Sequence, residues 1–518
     1  AYYDTTNGET INFWQEDETL GWIFQYYNSL EERRKMREES TKPRNSREMA
    51  VRNQFFTPDY VVEFLTDNCL GRIWWEMTDG KSTAIKEKCE YLIHRPDEKY
   101  EKRKIKEPTE LTLLDPTCGS MHFGLYAFGV FETIYMDAWD NHPEVLQKYK
   151  YEMTREEFHK IVPKLILEHN IFGAEIDPRA LQIAAVSLWL RAQKSWEEQG
   201  VDSSERPVIK KSNLVLAEPM PGNKKLLYQL TKEMDSPMQK LVKTVWEKMT
   251  IAGEAGLLLK MEKEIEADVA DIKKNWHKYR VANEYVLELT EEDRGNNEAV
   301  AREIERIKKL NKDEFFAELK DNLTKRITEL SEQMSENEGY ENALFSEDAA
   351  RGLAFIELCM RRFDVIVMNP PFGEGSEASS PYLDKNYEAW CKNLVCAFFD
   401  RMQEILTDGG KLGAIFDRTV MIKSSYENFR RKNLCGYISA CADTGWEVLE
   451  ANVETSTLIV EKNEYDLEGI FLDLLEENPI EKSNILSKSV NLINLAEPNK
   501  ITYLSHTLIN FVEMLTNC

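Results

Sequence analysis

The stretch FDVIVMNPPFGEG, Phe363 to Gly375, decides the fold. Asp364, Val365, Ile366, Val367 and Met368 read as a short strand buried on both faces. The run stops at Asn369-Pro370-Pro371-Phe372. Two adjacent prolines cannot continue a central strand, because neither supplies an N–H to the ladder. The motif is therefore a shaped loop at the C-terminal end of the strand, where open α/β sheets bind their ligands.

The same texture recurs on either side. Residues 111–128, LTLLDPTCGSMHFGLYAF, read as a strand, a Gly-containing turn and a helix. Residues 169–193, HNIFGAEIDPRALQIAAVSLWLRAQ, repeat strand, acidic end and helix. SNLVLAEP, from Ser212, is a further strand end or loop, and GGKLGAIF, from Gly409, a further strand. Short apolar strands alternating with helices predict a parallel sheet covered by helices on both faces.

Residues 1–105 read as mostly helical, interrupted by the basic run EERRKMREESTKPRNSR from Glu31 to Arg47. Thr57-Pro58 reads as a helix start, with Thr as N-cap and Pro in the first helical position. The sheet pattern occupies 106–221 and 345–465. Between them, 222–344 is highly charged. There Leu258, Met261, Ile265, Val269, Ile272 and Trp276 step by three and four, as do Phe316, Leu319, Leu323, Ile327, Leu330 and Met334. That spacing predicts a helical insertion made of amphipathic helices. The tail, 466–518, reads as a linker or the start of a further region.

At 518 residues the chain is too long for one core. Its 66 basic and 91 acidic side chains give a net charge of −25, which excludes a surface that grips nucleic acid everywhere but not a local basic groove. No run of about 18 apolar residues predicts a membrane span. The nine cysteines are scattered, without C-x-x-C pairs or His partners at ligand spacing, so reduced cytoplasmic thiols and no metal are expected. The opening AYYDTTNGET and the uncapped apolar close suggest a piece of a longer protein.

Three turns carry the chemistry. Asp115-Pro116-Thr117-Cys118-Gly119-Ser120 is a Gly-containing turn feeding a helix, where a ligand can approach backbone N–H groups. It matches neither the phosphate-binding G-x-x-x-x-G-K-S/T pattern nor G-x-G-x-x-G. Glu175, at the end of the next strand, is placed to accept ribose hydroxyls, while Asp177 serves as N-cap with Pro178 first in the helix. In the third turn, the Asn369 side-chain carbonyl and the Pro370 carbonyl form two rigid acceptors suited to an –NH₂ group. Phe372 can stack on the ring that bears it. A plain Pro-rich strand exit is the competing reading for that turn alone.

Taken together, these motifs resemble the amino-group DNA methyltransferases that use S-adenosylmethionine. Asn369-Pro370-Pro371-Phe372 is similar to their catalytic Asp/Asn/Ser-Pro-Pro-Tyr/Phe/Trp motif in its adenine form. DPTCGSMHF is similar to their D-P-x-C-G-S-G-x-F cofactor motif. FFTP, Phe55 to Pro58, resembles the element preceding it in the gamma order. The resemblance covers roughly 50–220 and 350–465. Met121 departs from it, standing where the family usually has Gly, and Asn213 stands where many relatives have an Asp touching the cofactor adenine. The wording of LGWIFQYYNS, KPRNSREMAVRNQFFTPDYVVEFLTDN and DPTCGSMHFGLYAF resembles the PglX family, the adenine methyltransferases of BREX bacteriophage defence.

The resemblance implies a Rossmann-like S-adenosylmethionine-dependent methyltransferase sheet with an N-terminal helical region, whose first 105 residues include a cofactor-capping segment. It implies catalytic roles for Asn369, Pro370, Pro371 and Phe372. It implies cofactor contacts from Phe56, Thr57, Pro58, Asp115, Pro116, Cys118, Gly119, Ser120, Phe123, Glu175, Ile176, Asn213 and Asn369. It further implies site-specific N6 methylation of a flipped-out adenine in double-stranded DNA, marking host DNA. A C-terminal recognition region would follow residue 518, and other phage-defence proteins or a phage DNA-mimic inhibitor are the candidate further partners. Phosphate contacts are expected from the basic run, with Arg33, Arg34, Arg44 and Arg47 the named candidates beside Lys35, Arg37 and Lys42, although a solvated helix face explains any one of them equally. Two other functions stay open: a methyltransferase of RNA or protein amines and amides, and a non-catalytic DNA-binding scaffold. The FFTP element favours DNA, and the intact Asn369-to-Phe372 motif argues against decay.

Overall fold

The computed structural model describes residues 17–274 and 351–495, apart from 41, 96–99, 101, 220–227, 229–235, 266, 269, 272–273, 353, 436, 450–452 and 463–468. The chain divides into two compact units. One is built from Ala1–Leu216 and Arg362–Cys518, the other from Ala217–Arg361.

The first unit is organised by eight strands: β1 (Leu113–Asp115), β2 (Ile171–Glu175), β3 (Leu214–Leu216), β4 (Phe363–Met368), β5 (Leu406–Asp417), β6 (Ile438–Gly445), β7 (Thr455–Glu461) and β8 (Ile470–Asp473). Their order across the sheet is β3-β2-β1-β4-β5-β7-β6-β8. β1 pairs in parallel with β2 on one side and β4 on the other, with Leu113 opposite Ile171 and Val365. β7 enters antiparallel between β5 and β6. The order reverses at β1: one βα unit leads away to β2 and β3, and β4 and β5 return on the far side. That reversal is the topological switch point where doubly wound sheets open a crevice.

The expected α/β, Rossmann-like methyltransferase sheet is therefore present, carried by the strands the apolar runs announced. β4 is buried at all six residues, as a parallel strand covered on both faces must be. Its one charge, Asp364, sits at the strand's N-terminal end and is held by the backbone N–H of Thr112 at 3.1 Å and by Lys106 at 2.5 Å. The tail also joins this sheet: β8 pairs in parallel with β6, and helix Lys482–Asn494 follows it.

The helices that place the site are α1 (Thr19–Gln25), α2 (Leu30–Glu39), α3 (Ser46–Arg52), α4 (Asp59–Thr66), α5 (His122–Asn141), α6 (Pro178–Glu198) and α7 (Leu394–Ile405). α5 and α6 follow β1 and β2 as the alternation predicted. Asp177 caps α6 by accepting from Arg179 N at 2.9 Å, with Pro178 at the first helical position. α4 begins one residue later than Thr57-Pro58 suggested. Pro58 is its N-cap, and Thr57 is buried with its hydroxyl engaged elsewhere.

The second unit begins at Ala217 and ends at Arg361, five residues before the expected start of the insertion and seventeen after its expected end. Its described helices include Ser236–Lys248 and Ala252–Ala255. Leu258, Met261 and Ile265 are buried. The expectations for Val269, Ile272, Trp276, Phe316, Leu319, Leu323, Ile327, Leu330 and Met334 lie outside the described residues. Among the described residues no helix is long and apolar enough to cross a membrane.

Candidate active site

The turns after β1, β2 and β4 meet at the C-terminal edge of the sheet because those strands are neighbours in register. Bonds between them join the motifs directly. Gly119 N–H donates to Oε2 of Glu175 at 2.8 Å, which ties the first turn to the second. Thr117 Oγ1 donates to the backbone carbonyl of Asn369 at 3.3 Å, which ties the first to the third. Cys118 N–H donates to the Ala174 carbonyl at 3.0 Å, and the Cys118 thiol is buried beneath the turn.

Burial and charge act together in this cradle. Asp115 is 2% exposed, and burial pushes its carboxyl up to about 8, against the pull of the Thr117 N–H bond and with the push of neighbouring Glu175. Glu175 is likewise raised by burial, opposed by bonds from the N–H groups of Asp177, Gly119 and Ile176. An ionised carboxylate has about four lone-pair sites. Three of Glu175's are taken by those amides, which leaves one free acceptor site.

Gly119 gives the cradle its opening. It adopts φ +51, and a Cβ built there would meet nothing within 4 Å. A ligand can therefore approach the backbone of this turn, which fits a nucleoside-bearing group. Pro116 is buried and Ser120 half-buried at its edges. Met121, the departure from the family pattern, is left-handed at φ 73 yet fully buried. Its side chain turns into the core, with Cε lying where a Cβ on Gly124 would fall and Sδ beside Gly173. The turn is consequently not crowded by Met121. Phe123 is 3% exposed and packs in the main core, so it supports the cradle from below.

FFTP closes the other side. Phe56 stacks on the His122 ring, centroids 4.4 Å apart, and meets Trp22 of α1 edge-on at 5.6 Å. Gly21 of α1 lies so close to Ser120 that an added Cβ would come within 2.5 Å of its hydroxyl. His122 Nε2 lies 3.3 Å from Asp59 and 3.5 Å from Glu18. Burial works to lower its pKa, but these two carboxylates outweigh burial and raise it. Sequence reading missed this His122–Glu18–Asp59 contact, because three residues so far apart in the chain share no local pattern. Half-buried Pro58 is the N-cap of α4.

Asn369 faces this closure. Its Nδ2 donates to Thr57 Oγ1 at 3.0 Å. No described residue donates to its Oδ1 or to the carbonyl of buried Pro370. Both acceptors are thus available, the first oriented by Thr57. Phe372 is half-buried against the core, beside half-buried Pro371. Its N–H donates to Oδ1 of Asn53 at 3.1 Å, a residue that no local motif singles out.

Two expectations need correction. Asn213 stands before β3, not at its C-terminal end. Its backbone carbonyl accepts from Gly173 N, and its Nδ2 donates to the carbonyls of Leu167 and Glu168 on the run entering β2. The amide is therefore tied toward the opposite edge of the sheet from Glu175 and Asn369, while Ile176 lies beside the cradle with its N–H on Glu175. Arg33 is 4% exposed, and its guanidinium donates to the carbonyls of Gln54 and Gln25. It is an internal staple between α1, α2 and the segment after α3, not a phosphate contact.

The other basic candidates already carry acidic partners. Arg34 pairs with Glu38 at 2.8 Å, Arg47 with Glu32 at 3.1 Å, and Arg44 with Glu48 at 2.5 Å and Glu39 at 3.1 Å. Lys35 lies 4.0 Å from Glu39, and Lys42 pairs with Glu374 of the loop after β4 at 2.5 Å. Arg37 donates to the carbonyl of Arg52 and lies over the Phe55 ring. Elsewhere, an open groove lined by Lys88, Glu132, Arg155 and Arg191 contains none of the candidate site residues.

Comparison with known proteins matches this arrangement to one family. The family described as Eco57I restriction-modification methylase matches residues 169–438, just over half of the chain and inclusive of Glu175 and Asn369. The adenine-specific methyltransferase BrxX of Escherichia coli O9:H4 (strain HS) is 31% identical over 189 residues, 35% of this chain. The adenine-specific methyltransferase PglX of Lacticaseibacillus casei (strain Zhang) is 27% identical over 188 residues, 34% of this chain. The matched region spans 14% of the length of each of these relatives. Among solved structures, a DrdV–DNA complex is similar over 91% of this chain and 31% of that one, at 10% identity and a TM-score of 0.43. The chain belongs to the Eco57I restriction-modification methylase family.

Proposed function

We propose that this chain is the catalytic core of a site-specific adenine-N6 DNA methyltransferase, acting with S-adenosylmethionine in BREX-type bacteriophage defence. The observation that carries the reading is the acceptor pair at the end of β4, Asn369 Oδ1 and the Pro370 carbonyl, set beside the Gly119–Glu175 cradle. The names of the curated relatives, both adenine-specific methyltransferases, point the same way.

S-adenosylmethionine, when bound, supplies an electrophilic methyl carbon. Gly119 and Ser120 would hold it at the backbone of the first turn, Glu175 at a ribose hydroxyl, and Phe56 and Pro58 along the opposite wall. Asn369 Oδ1 and the Pro370 carbonyl accept the two protons of the adenine amine. Those bonds draw the nitrogen lone pair out of ring conjugation and favour the pyramidal geometry that develops in the transition state. Phe372 stacks on the base, and the fixed loop presents the amine at near-attack distance. The excess proton leaves after transfer, so no dedicated base is required. Reaching the base costs a few kcal/mol of unstacking, which phosphate contacts must offset. Host DNA and other defence-system proteins or a phage DNA-mimic inhibitor are the partners this reading proposes, in the cytoplasm.

The test is transfer of labelled methyl from S-adenosylmethionine to DNA, RNA or protein, with Asn369→Ala as control and the product nucleoside identified by mass spectrometry. N6-methyladenine formed by the wild type and lost in N369A is the expected result. Label in RNA or protein alone would overturn the DNA assignment, and absence of cofactor binding by calorimetry would overturn catalysis.

A further inference from the structure

The catalytic loop has few handles of its own. Pro370 and Pro371 carry no N–H, so Phe372 is the first residue after Asn369 that can be held through a backbone donor. Asn53 takes that donor at 3.1 Å. Asn53 is the C-cap of α3, and its Nδ2 donates to the Met49 carbonyl at 3.0 Å. Both partners have a fixed sense, because a peptide N–H only donates and a peptide carbonyl only accepts. The Asn53 amide therefore has one workable orientation, unlike an amide held by a hydroxyl.

The neighbouring donor is held in the same way. Gly373 N–H donates to Asn393 Oδ1 at 3.2 Å, and the Gly373 carbonyl accepts from Leu394 N at 2.7 Å. The loop is thus gripped at consecutive N–H groups, from α3 on one side and the start of α7 on the other. Between the Pro370 carbonyl and Phe372 N lie two planar peptide bonds and the φ and ψ of Pro371 alone, and its φ is locked near −65°. Displacement at Phe372 therefore carries over to the Pro370 carbonyl, with only Pro371 ψ free to absorb it.

We propose that Asn53 is a positioning residue for methyl transfer: by holding the Phe372 N–H it fixes the stacking ring and, through the two prolines, the acceptors that receive the amine. The assignment rests on the function proposed for Asn369, and the experiment separates the two.

Three variants of the full chain are compared with wild type. Asn53→Leu removes the acceptor, Asn53→Asp keeps it but cannot donate to Met49, and Asn45→Ala removes the N-cap bond to Glu48 at the far end of α3. Each is measured for hydrogen exchange over residues 369–375, thermal midpoint, cofactor affinity and kcat on plasmid DNA. In N53L, Phe372 amide exchange and kcat should change about tenfold or more, faster and slower respectively, the scale expected for a lost bond that aligns a reacting group. Cofactor affinity should stay within about threefold, since no cofactor contact is removed. N53D should stay near wild type in exchange and kcat although its midpoint falls, and N45A should lower the midpoint alone. Unchanged exchange in N53L, or kcat that follows the thermal midpoint across all three variants, would overturn the assignment. An exchange response in a wild-type background that methylates no DNA would keep the anchor and overturn the functional reading.

Discussion

Asn369 Nδ2 donates to Thr57 Oγ1 at 3.0 Å, joining the loop after β4 to a residue 312 positions earlier in the chain. Thr57 is 6% exposed, so Val can replace it with little change of shape. Thr57→Val removes the hydroxyl that anchors one end of the amide, and Thr57→Ser restores it. Loss of one aligning bond predicts about a tenfold fall in kcat for T57V, with T57S recovering most of it. Steady-state kinetics and calorimetry separate this from a direct cofactor contact: weakened cofactor binding at unchanged kcat would refute the anchoring role.

Arg33→Ala should destabilise the chain and leave its affinity for DNA as salt-dependent as before. The guanidinium serves two backbone carbonyls in a buried setting, and losing charge-assisted bonds there costs about 1–3 kcal/mol. Arg47→Ala, at an exposed pair with Glu32, should cost less than about 1 kcal/mol. Urea denaturation reads both. If R33A instead left stability intact and reduced the slope of log K against log salt by about 1, Arg33 would be a phosphate contact.

These two residues mark what local pattern conveys. The strands were legible because β1, β2 and β4 are short apolar runs ending in turn residues, a signal that depends only on neighbours. The order of the three turns then placed Gly119, Glu175 and Asn369 together. Thr57 looked like an N-cap because Thr-Pro opens many helices, but the partner that claims its hydroxyl lies 312 residues away. Arg33 looked exposed because it sits in a charge run, yet it is buried, and like Arg37, four residues on, it donates to backbone carbonyls. Asn213 was assigned through the resemblance alone, and the three-residue strand β3 that begins just after it sets it at the edge away from Glu175. The tail gave no signal because β8 is a four-residue strand that, among the described residues, pairs with β6 alone.

His122 gives the site a pH dependence of definite sign. Its folded pKa lies above the ordinary value of 6.5, raised by Asp59 and Glu18 in spite of burial. The folded state therefore binds the proton more tightly than the unfolded chain does. The stabilisation is complete below pH 6.5 and is lost as pH rises through the higher folded value. Because Glu18 precedes α1 and Asp59 begins α4, the bond also holds α1 against Phe56 and the first turn. The difference in thermal midpoint between wild type and His122→Asn should shrink as pH is raised through that window. A difference that stays constant from acid to alkaline pH would mean that His122 acts by packing alone.

Met121 settles a conflict between backbone and core. A left-handed Met costs about 1–2 kcal/mol, and Gly would remove that cost. The same side chain is fully buried, and deleting a buried Met costs about 2–5 kcal/mol. The burial term is the larger, so Met121→Gly should be net destabilising although Gly is the residue usual in the family. The space Met121 fills exists because position 124 is Gly: a Cβ there would fall 2.6 Å from Met121 Cε. Gly124→Ala alone should therefore destabilise by about 1–3 kcal/mol through overpacking. In a Met121→Ala background the contact with Cε is gone, Ile171 Cγ2 remains at 3.2 Å, and the helix gains about 1 kcal/mol from Ala over Gly, so the penalty should shrink sharply. A double-mutant cycle by denaturant titration measures this coupling. Additive effects of M121A and G124A would show that the two side chains do not compete for the same volume, and that the turn is supported in some other way.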